Sequence, residues 1–204
     1  NINPPKTTIE ELQDSRDGGK IALTGFTYQF LYSCYLILSE SDTKTSFHLE
    51  GIEDIDRYKC EVSCKSITHI QLKFSTQKQD ASFLKDVLKN FLEAYLINKT
   101  HNFKLVYDFF IANGNMSKLF NKSLDQTSTL YWKNIINKIE EENPLWNWSD
   151  FSFDDFIAVL TFEKKEKCIL SAEIEKKLIE NYDISTDNIE LFANGIEMCC
   201  LKKM

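Results

Sequence analysis

Proline and glycine are scarce, three and six in 204 residues. The chain accordingly has no glycine-rich loop to cradle phosphates, no Gly-x-Ser-x-Gly elbow of a serine hydrolase and no low-complexity linker between domains. Histidine is rarer still: His48, His69 and His101 lie far apart in sequence and form no partner pattern. The six cysteines (Cys34, Cys60, Cys64, Cys168, Cys199, Cys200) make no paired Cys-x-x-Cys frame. Cys60 and Cys64 with His69 supply three ligands of a zinc site, with no fourth evident. Also missing are a basic-then-apolar leader and an apolar run of membrane-spanning length, since the longest, Phe26 to Leu38, carries Gln29 and Ser33. The expectation is a cytoplasmic protein with reduced thiols and no membrane partner.

What is present suffices for a core. The chain is 43% hydrophobic and 13% aromatic, long for one domain and short for two. Residues 1–17, with Pro4-Pro5 and scattered charge, read as an N-terminal arm. Residues 18–204 read as one domain: an α/β core over 18–116 and a helical extension over 117–204. The formal net charge of -7 argues against a nucleic-acid partner, but its distribution argues the other way. Residues 57–104 hold nine Lys/Arg against four acids, and the segments on either side are acidic. A local basic face is enough to contact phosphates on an otherwise acidic protein, and the candidates are Arg57, Lys78, Lys85 and Lys89. A solvated surface with no partner gives the same pattern.

The nearly continuous apolar stretch from Lys20 to Leu38 predicts a buried helix. Gly25 within it suggests that another backbone approaches, and Gln29, on the same stripe, is an amide that must find a partner. Ser46 to Glu50, Tyr58 to Ser63 and Ile67 to Phe74 read as strands of an antiparallel meander, with Asp54 and Asp56 where strands meet. A helix from Ser82 to Ile97, capped by Asp80 or Ser82, and a central strand from Phe103 to Ala112 follow. Beyond Ser117 the pattern predicts helices near 125–142, 154–162, 171–182 and 187–201. The fold class is α/β, a mixed sheet flanked by helices with a C-terminal helical extension.

In Ile70-Gln71-Leu72-Lys73-Phe74, Ile70, Leu72 and Phe74 point to one face while Gln71 and Lys73 share the other. A carboxylate at Asp54, an amide oxygen at Gln71 and an ammonium at Lys73 form the kind of set that metal-assisted phosphodiester hydrolysis uses. The same triplet fits an ordinary half-exposed strand with two polar residues facing water.

Three segments in order, Gly25-Phe26-Thr27-Tyr28-Gln29, Glu50-Gly51-Ile52-Glu53-Asp54 and Ile70-Gln71-Leu72-Lys73, resemble the PD-(D/E)XK nuclease superfamily. More narrowly, they are similar to the double-stranded DNA nuclease effector domains of bacterial anti-phage proteins, those of CBASS systems and related defence ATPases. The tail, with Phe153-Asp154-Asp155-Phe156-Ile157 and Ile174 to Ile179, is similar to the way such domains end. The resemblance implies a restriction-endonuclease-like fold and a Mg²⁺- or Mn²⁺-dependent cut in duplex DNA. It places Asp54, Gln71 and Lys73 in the catalytic motif, with Asp54 and Gln71 as metal ligands and Gln29, Glu50 and Glu53 as helpers. It also implies a homo-oligomer fused to a sensor or ATPase module. Gln71 stands where the motif usually has an acid, which puts Glu50 or Glu53 forward as a second carboxylate and leaves open an inactive nucleic-acid-binding or oligomerisation module.

Overall fold

The computed structural model describes residues 17–60, 65–112 and 114–201. Five strands form one sheet in the order of the sequence: β1 (Thr45–Leu49), β2 (Ile55–Cys60), β3 (Lys65–Phe74), β4 (Asn102–Asp108) and β5 (Leu160–Lys164). β1, β2 and β3 pair antiparallel, whereas β3, β4 and β5 pair parallel. The strand direction thus changes character at β3, which has an antiparallel neighbour on one side and a parallel one on the other.

Helices cover both faces. On one face α1 (Asp17–Ser39), α6 (Lys167–Tyr182) and α7 (Ile189–Leu201) close over Ile55, Ile70, Leu72 and Val106. On the other, α2 (Ala81–Ile97), α3 (Asn115–Phe120), α4 (Gln126–Glu142) and α5 (Phe153–Val159) close over Phe103, Leu105 and Tyr107. β4 therefore sends alternate side chains into two separate cores, as period-2 geometry requires of a strand buried on both sides.

The helix over 81–97 starts where the sequence places it. The Asp80 carboxylate accepts the Ser82 and Phe83 N–H groups, and Leu84, Val87, Leu88, Phe91 and Tyr95 form the buried stripe. Asp125 and Ser128 cap α4 reciprocally, and α4 buries Trp132, whose Nε1 donates to the Asn115 carbonyl at 3.0 Å.

Several expectations need correction. The expected helix over 154–162 stops at Val159, and Leu160 to Lys164 become β5; pairing with β4, including a bond from Thr161 Oγ1 to the Phe103 carbonyl at 3.2 Å, overrides the local pattern. The central strand ends at Asp108, four residues early, because Phe110 and Ala112 turn their backbone bonds to Gln79. β2 begins at Ile55, three residues before its expected start, and what was expected of 61–63 lies outside the described residues, as does the arm over 1–16. A Cβ at Gly25 would meet nothing within 4 Å among the described residues, so no described backbone approaches there.

Candidate active site

The residues that the sequence singles out come together where the antiparallel pairing of β2 and β3 ends. Ile55 is the first residue of β2, opposite Ile70, so the Leu72 N–H of β3 lies just past the last paired position on that side. The Asp54 carboxylate takes it: Oδ2 accepts the Leu72 N–H at 2.5 Å. From α1, Gln29 Nε2 donates to Asp54 Oδ1 at 3.0 Å and to Glu50 Oε1 at 2.8 Å, bridging two carboxylates that would otherwise repel. The amide anticipated in the apolar helix thus has its partners.

Gln71 stands beside Leu105 of β4 and Lys73 beside Tyr107, which puts both on the face covered by α2. They do not both face water: Gln71 is 5% exposed and Lys73 half-buried. The side-chain oxygen of Gln71 is buried and has no hydrogen-bond partner among the described residues. An amide oxygen left without a partner costs on the order of 1–3 kcal/mol, so its persistence needs a reason.

The electrostatics give one. Glu53 is 8% exposed. Burial, then the charge of Asp54, pushes its carboxyl up to about 7 against the opposing pull of Lys73. Burial also raises the Asp54 carboxyl, and Glu50 adds to it, while the Leu72 N–H and Lys73 work against the rise. Asp54 thus feels the charges of Glu50, Glu53 and Lys73, and it binds the residue that follows Gln71; a divalent cation would offset the crowded carboxylates. Among the described residues no group of three or more His, Cys, Asp or Glu side chains is placed to hold a metal ion. Asp54 and the Gln71 oxygen would hold the ion with Glu53 or Glu50 nearby, and water or backbone oxygens would complete the shell.

The basic candidates are dispersed. Arg57 is paired with Glu40, at the end of α1. Lys85 lies 2.6 Å from Glu142 of α4, with Lys89 close enough to help hold that carboxylate below the usual range. Lys78 is exposed in the segment that follows β3, beside Gln79, which is bonded to Phe110 and Ala112.

The sequence did not show that His69 and His101 meet. Nδ1 of His69 lies 2.6 Å from Asp56 Oδ1, and its Nε2 lies 2.9 Å from Nδ1 of His101. Both nitrogens are engaged, so the partial zinc site with Cys60 is not formed by His69; Cys64 lies outside the described residues. Burial alone would raise Asp56, but the bonds from His69 and the Ile52 N–H hold its carboxyl below the usual range. Burial, then His69, pushes the His101 imidazole down. His101 and Glu53 both line one hollow of about 460 Å³, together with Ile52, Asn90 and Ile97. Only the parallel register of β3 and β4, which sets His69 beside Phe103, brings these residues together, and one sequence carries no signal of that register.

No protein-family model matches the chain, and no curated protein matches it significantly. Solved structures do. The fold is a mixed α/β sheet of the kind found within receptors that carry SAVED/CARF domains. The particular neighbours are Cap4 receptors from Acinetobacter baumannii (TM-score 0.58, 14% identity, 88% of this chain) and Moraxella osloensis (TM-score 0.54, 14% identity, 90% of this chain). The Acinetobacter receptor with the cyclic trinucleotide 2'3'3'-cAAA aligns at a TM-score of 0.59. The chain spans 42% of the first receptor's length and 44% of the second's. At this identity the likeness shows the fold. Among the described residues no helix is long and apolar enough to cross a membrane.

Proposed function

We propose that the protein is a Mg²⁺- or Mn²⁺-dependent endonuclease that cuts double-stranded DNA, acting as the DNA-degrading part of a bacterial anti-phage defence protein. One observation carries the reading: the Gln71 side-chain oxygen is buried without a partner among the described residues, and the N–H of the next residue, Leu72, is bound by the Asp54 carboxylate where β2 and β3 part. A divalent cation bound there would polarise the scissile phosphate and lower the pKa of a bound water. The chain's own residues do the rest. Lys73 places an ammonium where negative charge accumulates on the phosphate, and a neutral side chain cannot replace it. Gln29 holds the Asp54 and Glu50 carboxylates in one orientation, so the centre needs no rearrangement when substrate arrives. Glu53, with its carboxyl near neutrality, can take up a proton at the pH where the enzyme works. Lys78, beside the end of β3, and Lys89 would meet phosphates; so would Lys85 once freed from Glu142, since an exposed pair is worth at most about 1 kcal/mol, and Arg57 if its half-buried pair with Glu40 opens. The likeness to receptors with SAVED/CARF domains, of which this chain spans less than half, supports fusion to a sensing module; assembly into an oligomer is part of the same reading and rests on the sequence resemblance.

A second reading has its own support. Two of the Acinetobacter receptor structures hold a cyclic trinucleotide, which favours a non-catalytic module that binds such a nucleotide. Incubation of the oligomeric protein with plasmid and linear duplex DNA separates the two. The expected result is cleavage in Mg²⁺ or Mn²⁺, none in EDTA, and DNA binding that weakens steeply between low and moderate salt. Cleavage that resists EDTA removes the metal from the reading. An oligomer that leaves DNA intact and binds a cyclic trinucleotide establishes the second.

A further inference from the structure

We propose that Asp56 and His69 are positioning residues of the candidate centre: the pair holds in place the turn that carries Glu50, Glu53 and Asp54. What the turn does rests on the nuclease reading; what holds it rests on geometry alone.

Asp56 is 1% exposed and His69 fully buried. A carboxylate at that depth is costly unless both oxygens are satisfied, and both are. Oδ1 lies 2.6 Å from His69 Nδ1, Oδ2 accepts the Ile52 N–H at 2.8 Å, and the Glu53 N–H donates to the same carboxylate. The turn is thus closed from inside by Asp56, while its own ends are joined by the Glu50 N–H and the Asp54 carbonyl at 3.0 Å. Gly51 reflects how tightly it wraps. A Cβ at that position would lie 2.2 Å from Asp56 Oδ2. Glu50, just before it, has φ +55°, a left-handed conformation that a non-glycine residue keeps only when its surroundings fix it.

His69 cannot swing away. It faces Asp56 across the β2–β3 pair, its ring stacks on Phe103 with centroids 5.4 Å apart, and its Nε2 meets His101 at 2.9 Å. The strand that holds this imidazole also carries Gln71 and Lys73, so the Asp56–His69 bond ties the two halves of the centre to one another. A merely structural pair could sit anywhere in the core; this one links the carboxylate-bearing turn to the strand that bears the amide and the ammonium.

The test uses the intact chain, with Mn²⁺ alone as the probe and amide hydrogen exchange as an independent readout. In a folded His69→Ala protein, exchange of the 50–54 amides, above all Ile52, should rise at least tenfold, and Mn²⁺ affinity by calorimetry should fall at least tenfold. His69→Asn, which keeps an N–H donor near the position of Nδ1, should recover most of both. Asp56→Ala, which removes both acceptor oxygens, serves if His69→Ala does not fold; it must loosen the same amides. Folded variants whose turn amides exchange at the wild-type rate overturn the proposal, and so does a loosened turn that binds Mn²⁺ as tightly as wild type. A wild-type protein that binds no Mn²⁺ overturns the metal-centre reading instead, and exchange then decides alone whether the pair holds the turn.

Discussion

Asp54→Asn is expected to remove Mg²⁺-dependent cleavage of duplex DNA, by about a thousandfold or more, and Lys73→Ala to slow it by about a hundred- to a thousandfold, in proteins that melt as cooperatively as wild type. The size follows from the roles. Removing a single group that stabilises developing charge costs about 10²–10³ in rate, and loss of a metal ligand adds the weakened occupancy of the ion itself. Asn is the informative replacement at position 54. Its side-chain oxygen can still accept the Leu72 N–H that Asp54 accepts at 2.5 Å, whereas Ala would leave that donor unpaired and mix a folding defect into the result. Glu50→Ala should weaken cleavage without abolishing it, because Gln29 keeps its bond to Asp54. Lys73→Ala that cleaves at the wild-type rate would sink the assignment of the ammonium.

Glu53→Gln is expected to flatten the pH dependence of stability in EDTA and to raise the melting temperature at pH 8. Unfolded, the Glu53 carboxyl sits at its ordinary 4.5; folded, it is pushed up to about 7. Below 4.5 it is protonated in both states and its contribution to stability is fully present. As pH rises toward about 7 and beyond, the folded protein must carry a buried negative charge, and that contribution is lost. At about 1.4 kcal/mol per pH unit the loss is on the order of 3 kcal/mol, or roughly 6–12 °C for a chain of this size. Asp54 is raised by the same cause and adds to the trend, while Asp56 is lowered and acts in the opposite sense, its stabilisation lost in acid. The variant isolates the Glu53 part. Thermal melts between pH 4 and 8 that show the same slope in both proteins rule it out.

The sequence and the structure agree where local chemistry decides and part where register does. The helix over 81–97 is legible because its apolar stripe and the Asp80 cap are both local. β3 is legible because its alternation is strict, although its polar face turned out to be buried under α2 rather than bathed in water. β5 is not legible: Phe153 to Phe162 carries a helical apolar pattern, and only the presence of β4 alongside converts its second half into strand. Within the site, Gln29, Glu50, Asp54, Gln71 and Lys73 could be picked out as segments in order, and the antiparallel pairing of β2 with β3 sets the turn before β2 beside the end of β3. Asp56 and His101 could not be given roles, because His69 and His101 lie thirty-two positions apart and meet only through the parallel crossover.

The alternation of β4 between two cores bears on how the molecule comes apart. Phe103, Leu105 and Tyr107 anchor it to one helical layer and Val106 to the other, and strands are hydrogen-bonded along both of its edges. A fluctuation that peels away either layer, or either half of the sheet, leaves β4 held by what remains. Its amides are therefore released only by the rarest opening, the loss of the whole fold, and they report global stability while the amides of the 50–54 turn report local opening.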